Sequence, residues 1–289
     1  MDQILVVFIA AFSAGLFPEG GINARRYDSY NCHKQTPHGE NIMDRRTFLS
    51  AAVVGAAAGS IPVWAASRNI KALAFDGIAL FDPRPVFAMV EQFFPGKGAT
   101  LVSAWRTRQF EYTWLRTLTG TYVDFMQITD EALAFAADAE KISIGADQRK
   151  QLLAGFLNLK AWPDVVPMLK NLKNRGLGLA PLTDFSLPML EAGIKNSELA
   201  GVFDHLLSTD LVRAYKPDPR SYQMGLDAFG LRREEIGFVA FGGWDAAGAK
   251  TFGYPTVWVN RLAAPAERLG VTPDAVASTF DALPQFLGI

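Results

Sequence analysis

Short apolar segments alternate with segments of helical periodicity through most of the chain that follows Asn69. The apolar segments have the length of strands, and the segments between them are about ten residues long, which suits helices. Strands and helices that alternate in this way are typical of an α/β fold with a parallel, doubly wound sheet. The predicted strands are residues 70–75, 177–183, 205–208, 236–241 and 256–260, and the predicted helices are residues 164–175, 187–195, 219–229 and 246–252.

One long segment, residues 83–163, interrupts this alternation because it has helical periodicity and no convincing strand. Its clearest part is a predicted amphipathic helix over residues 99–120. One apolar stripe of that helix holds Leu101, Trp105, Tyr112 and Leu115, and a neighbouring line holds Arg106, Phe110 and Trp114. We therefore expect a helical cap inserted into a core of residues 66–82 and 164–289. An insertion after the first strand lies over the carboxyl ends of the strands, where open α/β sheets keep their active sites.

Residues 43–65 have the pattern of an export signal, with a basic start, an apolar Ala- and Gly-rich middle and a small residue at the end. The pair Arg45 and Arg46 resembles the twin-arginine signal, which a receptor reads during export. A buried Ala-rich helix is the alternative, although Pro62 would end such a helix. Cleavage after Ala65 would make the protein periplasmic, with the twin-arginine translocase as its partner during export.

The segment before Met43 has one apolar run, residues 4–17, which is shorter than the roughly 20 residues of a membrane-spanning helix. The rest of it is polar and shows no period. We expect residues 1–42 to be a gene-model extension or a disordered segment. A membrane-associated segment is the alternative.

Charge and composition exclude several classes of function. The 28 Lys and Arg residues nearly balance the 29 Asp and Glu residues, so the net charge of −1 gives no reason to expect binding to nucleic acid or anionic lipid. The chain has one cysteine, Cys32, and three histidines, His33, His38 and His205. This set cannot form an intrachain disulfide framework, and after signal cleavage it leaves one histidine, too few for a multi-histidine metal site. The chemistry would therefore depend on carboxylates, amines, guanidinium groups and hydroxyls.

Polar side chains follow four of the predicted strands, in each case close to the carboxyl end. They are Asp76, the pair Thr183 and Asp184, Lys216, and Asp245. Because the carboxyl ends of parallel strands meet at one edge of the sheet, we expect these side chains to share a cleft. A nearby cation keeps a carboxylate nucleophile ionised in a dry pocket, and a second carboxylate can activate water.

The order of these residues and several longer segments resemble the haloacid dehalogenase superfamily, and within it the type II (S)-2-haloacid dehalogenases. The segments that carry the resemblance are Trp105-Arg106, residues 111–116, residues 203–208, Tyr215-Lys216-Pro217-Asp218, Trp244-Asp245 with Gly248-Ala249, and residues 258–261. The resemblance runs from about residue 70 to residue 287. It implies a Rossmann-like core with an inserted cap, hydrolysis of short 2-haloalkanoic acids to 2-hydroxy acids, no metal and no cofactor. It also implies a small carboxylate as substrate and, for assembly, a homodimer.

The resemblance also implies a role for each site residue. Asp76 would attack C2 of the substrate and form an ester, and Arg106 would receive the departing halide. Lys216 would keep Asp76 ionised, while Asp245 would orient Lys216 and help activate water. The residues implied in substrate binding are Thr183, Asp184, Phe110, Tyr222 and Trp244.

The chain departs from the family pattern near the nucleophile, and alternatives stay open there. Ile78 stands where phosphatases of the superfamily have a second aspartate, yet a metal-dependent phosphatase is one alternative. A non-catalytic periplasmic protein that binds a small anion is another. Individual residues have structural alternatives too: Asp245 as a helix cap, Arg106 paired with Glu111, and Lys216 as a surface lysine.

Overall fold

The computed structural model describes residues 69–289, and a six-stranded parallel sheet forms its centre. The strands are β1 (Ala72–Phe75), β2 (Gly178–Thr183), β3 (Leu207–Ser208), β4 (Ile236–Ala240), β5 (Thr256–Val259) and β6 (Ala275–Ala277). Their order across the sheet is β3-β2-β1-β4-β5-β6. The chain therefore adds strands outward from β1 in both directions, which is the doubly wound arrangement predicted from the sequence.

All five predicted strands are present, and β6 is a sixth that the sequence pattern did not indicate. It has only three residues, and the side chain of Val276 at its centre is 56% exposed. A three-residue edge strand with one face in solvent has too few positions to establish an alternation. The predicted strand over residues 205–208 is also shorter in the structure, where pairing begins at Leu207.

The helices fall between the strands and in the inserted segment. They are α1 (Gly77–Leu80), α2 (Arg84–Phe93), α3 (Gly98–Thr119), α4 (Phe125–Ala139), α5 (Ala146–Phe156), α6 (Val165–Asn174), α7 (Leu187–Asn196), α8 (Pro219–Phe229), α9 (Gly243–Phe252) and α10 (Leu283–Leu287). The four helices predicted between strands correspond to α6, α7, α8 and α9. Among residues 69–289, no helix is long and apolar enough to cross a membrane.

Both faces of the sheet are covered by apolar side chains. In β1, Leu73 and Phe75 belong to one buried cluster, whereas Ala72 and Ala74 belong to the other. All four side chains are fully buried. Burial on both faces explains why the strands appear in the sequence as continuous apolar runs instead of alternating ones.

Four helices, α2 to α5, form the inserted segment, and α3 packs mainly against α4. The indole Nε1 of Trp105 on α3 donates to the carbonyl oxygen of Thr129 on α4 at 2.8 Å. The predicted apolar stripe of α3 is confirmed at Leu101 and Trp105, which are buried, and is wrong at Leu115, which is 51% exposed. Leu115 faces solvent although its neighbour Arg116 pairs with Glu131 of α4. The exact cap boundaries, 83 and 163, stay a prediction.

The cap is held to the core next to Lys216. The backbone amide of Tyr215 donates to Oγ1 of Thr117 at 3.0 Å, and its hydroxyl donates to the carbonyl oxygen of Val123 at 2.6 Å. The ring of Tyr215 also stacks on Tyr122, with centroids 4.9 Å apart. These contacts fix the cap over the carboxyl ends of β1 and β2.

Several predictions fall outside residues 69–289: the export signal at residues 43–65, the segment 1–42, and the positions of Cys32, His33 and His38.

Candidate active site

Asp76 stands directly after β1, and backbone amides hold its carboxylate in place. It is the N-cap of α1, with Oδ1 accepting from the amides of Ile78 at 2.8 Å and Ala79 at 3.2 Å. The residue after Asp76 must be glycine, because a Cβ at Gly77 would come within 2.3 Å of Oγ1 of Thr183. The short turn after β1 therefore supplies two donors to one oxygen of Asp76.

Lys216 reaches the other oxygen of Asp76 from the loop before α8. Its ammonium group is fully buried, and Nζ donates to Oδ2 of Asp76 at 2.6 Å and to Oδ2 of Asp245 at 2.8 Å. Burial by itself lowers the pKa of a lysine, but the charges of Asp245 and Asp76 outweigh it and raise the pKa of Lys216. Lys216 is thus a permanent cation inside the protein, and the alternative of a surface lysine is wrong.

Asp245 lies in the first turn of α9 and faces Lys216. The helix begins at Gly243 with Gly242 as its N-cap, so the predicted start at residue 246 and the alternative of Asp245 as the cap are both wrong. The Asp245 carboxylate is buried, and burial raises its pKa against the opposing charge of Lys216. It does not line the cavity described below, so its contact with the site passes through Lys216.

Tyr222 lies behind this pair. Its hydroxyl donates to Oδ1 of Asp245 at 2.8 Å, and its side chain is fully buried. Tyr222 does not line the cavity described below, and its predicted contact with substrate stays a prediction. Gly248 on α9 allows this approach, since a Cβ there would come within 2.5 Å of the Tyr222 hydroxyl oxygen.

Thr183 and Asp184 follow β2 and reach the same end of the sheet. The Thr183 hydroxyl oxygen accepts from the amide of Phe185 at 3.0 Å, which leaves its proton free to donate. Asp184 is 5% exposed, and its Oδ1 accepts from the amide of Lys216 at 3.1 Å. Burial raises the pKa of Asp184 to about 7, with Lys216 opposing the shift and the charges of Asp245 and Asp76 adding to it.

A cavity of about 590 Å³ lies between the strand ends and α3. The predicted site residues in its wall are Asp76, Thr183, Asp184, Arg106, Phe110 and Trp244. Phe110 on α3 meets Trp244 on α9, with ring centroids 5.2 Å apart, so the cap and the core share one wall. The structure therefore brings together every predicted site residue except Tyr222 at the cavity or, for Lys216 and Asp245, directly behind it.

Arg106 projects from α3 into this cavity. Its guanidinium carbon lies 5.4 Å from the centre of the Phe87 ring, and within residues 69–289 it forms no ion pair. The alternative pairing with Glu111 is wrong, because Glu111 pairs with Arg108 at 3.0 Å. Burial lowers the pKa of Arg106 somewhat, yet an arginine stays charged. The roof of the cavity thus offers a cation to an incoming anion.

Comparison with known proteins shows the family of this chain. A family model described as haloacid dehalogenase-like hydrolase matches residues 32–253. This chain belongs to that family. It is 38% identical over 223 residues to haloacetate dehalogenase H-2 of Moraxella sp. (strain B), a match that covers 77% of this chain and all of that protein. It is 42% identical over 206 residues to an (S)-2-haloacid dehalogenase of Pseudomonas sp. (strain YL), covering 71% and 89% of the two chains.

Solved structures of 2-haloacid dehalogenases have the same fold as this haloacid dehalogenase-like hydrolase. An L-2-haloacid dehalogenase crystal structure matches with a TM-score of 0.74 and 40% identity, covering 76% of this chain and 99% of that one. The enzyme of Xanthobacter autotrophicus, solved with chloropropionic acid covalently bound, matches with a TM-score of 0.69 and 31% identity, covering 76% and 98%.

Arg261 also lines the cavity of this hydrolase, although the sequence did not lead us to predict it as a site residue. It follows β5 much as Asp76 follows β1, so the same search at strand ends could have found it. Its guanidinium group makes two hydrogen bonds to the Asp164 carboxylate, at 3.0 and 2.9 Å, and lies against the rings of Trp162 and Phe280. Arg261 is therefore a cation of the cavity wall that is paired with Asp164.

Proposed function

We propose that this protein hydrolyses the carbon–halogen bond of 2-haloalkanoic acids, with Asp76 as nucleophile. One observation carries the proposal. The Asp76 carboxylate faces a cavity while two amides hold one of its oxygens and the buried Lys216 ammonium holds the other. Its relatives in two species are named as dehalogenases of haloacids, and a similar enzyme has been solved with chloropropionic acid covalently bound.

The first step is displacement at C2. An oxygen of Asp76 attacks C2 of the acid, the carbon–halogen bond breaks, and halide leaves with the bonding electron pair. An ester then joins Asp76 to the substrate. Arg106 stabilises the departing anion because it is a cation with several donors and no carboxylate partner in residues 69–289.

The second step is hydrolysis of that ester. Water adds to the carboxyl carbon of Asp76, and negative charge develops on the oxygen that the amides of Ile78 and Ala79 already contact. These amides act as an oxyanion hole. The bond from this carbon to the substrate oxygen then breaks, which releases a 2-hydroxy acid, one proton and the free Asp76 carboxylate.

Asp245 and Tyr222 hold Lys216 in position. The Tyr222 hydroxyl fixes one oxygen of Asp245, the other oxygen fixes Lys216, and Lys216 contacts Asp76. A role for Asp245 in activating water would have to act through Lys216, because Asp245 does not reach the cavity. The Thr183 hydroxyl is free to donate to the substrate carboxylate.

The test is halide release from 2-bromopropionate by wild type, by Asp76→Asn and by the control Asp138→Asn, whose exposed carboxylate lies away from the site. We expect wild type and the control to release bromide and protons in equal amounts, and Asp76→Asn to release none. Full activity in Asp76→Asn would contradict the nucleophile assignment. Mg²⁺-stimulated hydrolysis of a phosphate monoester, without bromide release, would support the phosphatase alternative.

We also propose that the protein is exported to the periplasm by the twin-arginine translocase. The support is the order of features at residues 43–65: Arg45 and Arg46, then an apolar run, then Ala65. Secreted protein should begin at Ala66, and replacing both arginines with lysine should leave it uncleaved in the cytoplasm. An uncleaved wild-type protein in the cytoplasm would contradict this proposal.

A further inference from the structure

The cavity is much larger than a three-carbon acid requires. Its volume of about 590 Å³ lies in the range of pockets that enclose drug-sized ligands. It extends from Asp76 at the end of β1 to Leu262, Ala264 and Glu267 in the loop after β5. Leu262 is 48% exposed, and Ala264 and Glu267 are exposed as well, so this outer end of the cavity meets solvent.

Both polar and apolar side chains line this cavity, and the polar ones include Ser103, Thr107, Gln109 and Asn260. The groups able to hold a carboxylate or a halide, Thr183 and Arg106, line it together with Asp76. Much of the remaining wall is apolar and comes from both the cap and the core: Phe87, Val102, Phe110, Trp244 and Leu262. The close contact of Phe110 and Trp244 makes part of this wall a continuous aromatic surface. With a short acid bound, this apolar surface would stay exposed to water, whereas an apolar substituent on C2 would bury it.

The charges at the outer end limit what the substituent can be. Glu267 is the acidic side chain there, and Arg261, another charged residue of the cavity wall, is already paired with Asp164. A second carboxylate on the substrate would therefore meet an unfavourable charge. An uncharged chain would avoid this repulsion.

We infer that the cavity selects 2-haloacids whose C2 carries a long, uncharged, apolar chain over the three-carbon acid and over dicarboxylic acids. This inference rests on the proposed function for the reaction and adds the substrate class. The acid group and the halogen lie at the Asp76 end, and the chain runs along Phe110 and Trp244 towards Leu262.

The first experiment measures kcat/KM for 2-bromopropionate, 2-bromohexanoate, 2-bromooctanoate and 2-bromoadipate. Each buried methylene should raise kcat/KM about fourfold, so that the hexanoate, with three more methylenes, exceeds the propionate by roughly sixtyfold. The adipate has the same carbon number as the hexanoate and should be at least about tenfold poorer, because its second carboxylate approaches Glu267. A flat or falling series, with 2-bromopropionate the best substrate, would overturn the inference and leave the proposed function intact.

The second experiment narrows the cavity. Val102→Trp places a large side chain in the cavity wall and so reduces the volume of the cavity. The control Leu118→Trp places the same side chain at an 83% exposed position of the same helix. The ratio of kcat/KM for 2-bromooctanoate to that for 2-bromopropionate should fall about tenfold or more in Val102→Trp and stay unchanged in Leu118→Trp. An unchanged ratio in Val102→Trp would overturn the inference. If that variant does not fold, Ala99→Leu narrows the same wall with a smaller side chain.

The third experiment does not need turnover. Calorimetric titration with octanoate and with propionate measures whether the cavity binds an apolar chain. Octanoate should bind at least about thirtyfold more tightly. That result without any bromide release would support the cavity assignment and overturn the proposed function. Equal and weak binding of the two acids would overturn the inference.

Discussion

The floor and the roof of the cavity are built on different principles. The floor consists of Asp76 in the cavity wall and, directly behind it, Lys216, Asp245 and Tyr222. These four residues form one connected set of hydrogen bonds, and three of them are almost fully buried. In the roof, Arg106 is a cation whose neighbour is the Phe87 ring and which has no ion pair in residues 69–289. Every charge in the floor has a partner of opposite sign, whereas the roof presents to an anion a charge that is unpaired within residues 69–289. Floor variants should therefore affect both folding and catalysis, and roof variants mainly catalysis.

Lys216→Met should have the largest effect, because it leaves Asp76, Asp245 and Asp184 without their shared cation. We expect kcat/KM for 2-bromopropionate to fall by about 10³ or more, and the free energy of unfolding at pH 7.5 to fall by about 3–5 kcal/mol. Urea unfolding and bromide release measure the two effects, with the exposed Lys150→Met as control. Normal stability in Lys216→Met would contradict the description of the floor.

Arg106→Ala should separate catalysis from folding. Loss of the cation that receives the halide should lower kcat by about 10². The free energy of unfolding should change by no more than about 1 kcal/mol, because no ion pair is broken. Arg108→Ala, on the same helix and paired with Glu111, is the matched control and should keep its kcat. If Arg106→Ala lost stability and activity in parallel, the roof would be no different from the floor.

Asp184 makes anion binding depend on pH. With a pKa of about 7, its carboxyl group is largely neutral below pH 6 and ionised above pH 8. Each added negative charge in the cavity opposes the anionic substrate, so KM should rise on the order of tenfold between those pH values. The groups that face Asp184 and can modify this profile are Asp76, Lys216, Asp245 and Tyr215. Asp184→Asn should have a KM that stays flat over this range, and an identical rise in the variant would contradict the prediction.

The same carboxyl group affects stability in a defined direction. Its pKa is raised in the folded protein, so between about pH 4 and pH 7 the folded state holds a proton that the unfolded chain has released. Its contribution to the free energy of unfolding is therefore present at low pH and is lost as the pH rises through this window. Asp184→Asn should lack this part of the slope in urea unfolding measured from pH 4 to 8. An unchanged slope in Asp184→Asn would contradict this prediction.

Tyr222→Phe should have the smallest effect on the floor. It removes one hydrogen bond to Asp245 and leaves the charges in place. We expect a loss of about 1 kcal/mol of unfolding free energy and a decrease of a few fold in kcat with KM unchanged, since Tyr222 does not touch the cavity. Tyr112→Phe on α3 is the control. A change in KM in Tyr222→Phe would contradict the purely positioning role and support the predicted role of Tyr222 in substrate binding.

The two regions also differ in how far the sequence could predict them. The floor residues Asp76 and Asp245, like Asp184 in the cavity wall, follow strands. Parallel strands place their ends together whatever the details of packing. Their convergence could therefore be predicted from the chain alone. Arg261 obeys the same rule and could have been included.

The roof depends on how α3 docks, which periodicity does not specify. The periodicity predicts that the stripe containing Leu115 is buried, but Leu115 is exposed in the structure. The hydrogen bond of Tyr222 to Asp245 and the start of α9 at Gly243 likewise depend on tertiary contacts. The edge strand β6 is too short for any pattern to reveal it.

The most direct test of the central claim is a single turnover in H₂¹⁸O, with enzyme in excess over 2-bromopropionate. If Asp76 forms the ester and water attacks its carboxyl carbon, the first 2-hydroxypropionate contains no ¹⁸O, and the peptide that contains Asp76 gains one ¹⁸O atom. Labelled product together with an unlabelled Asp76 peptide would show that water attacks C2 directly, which would contradict the account.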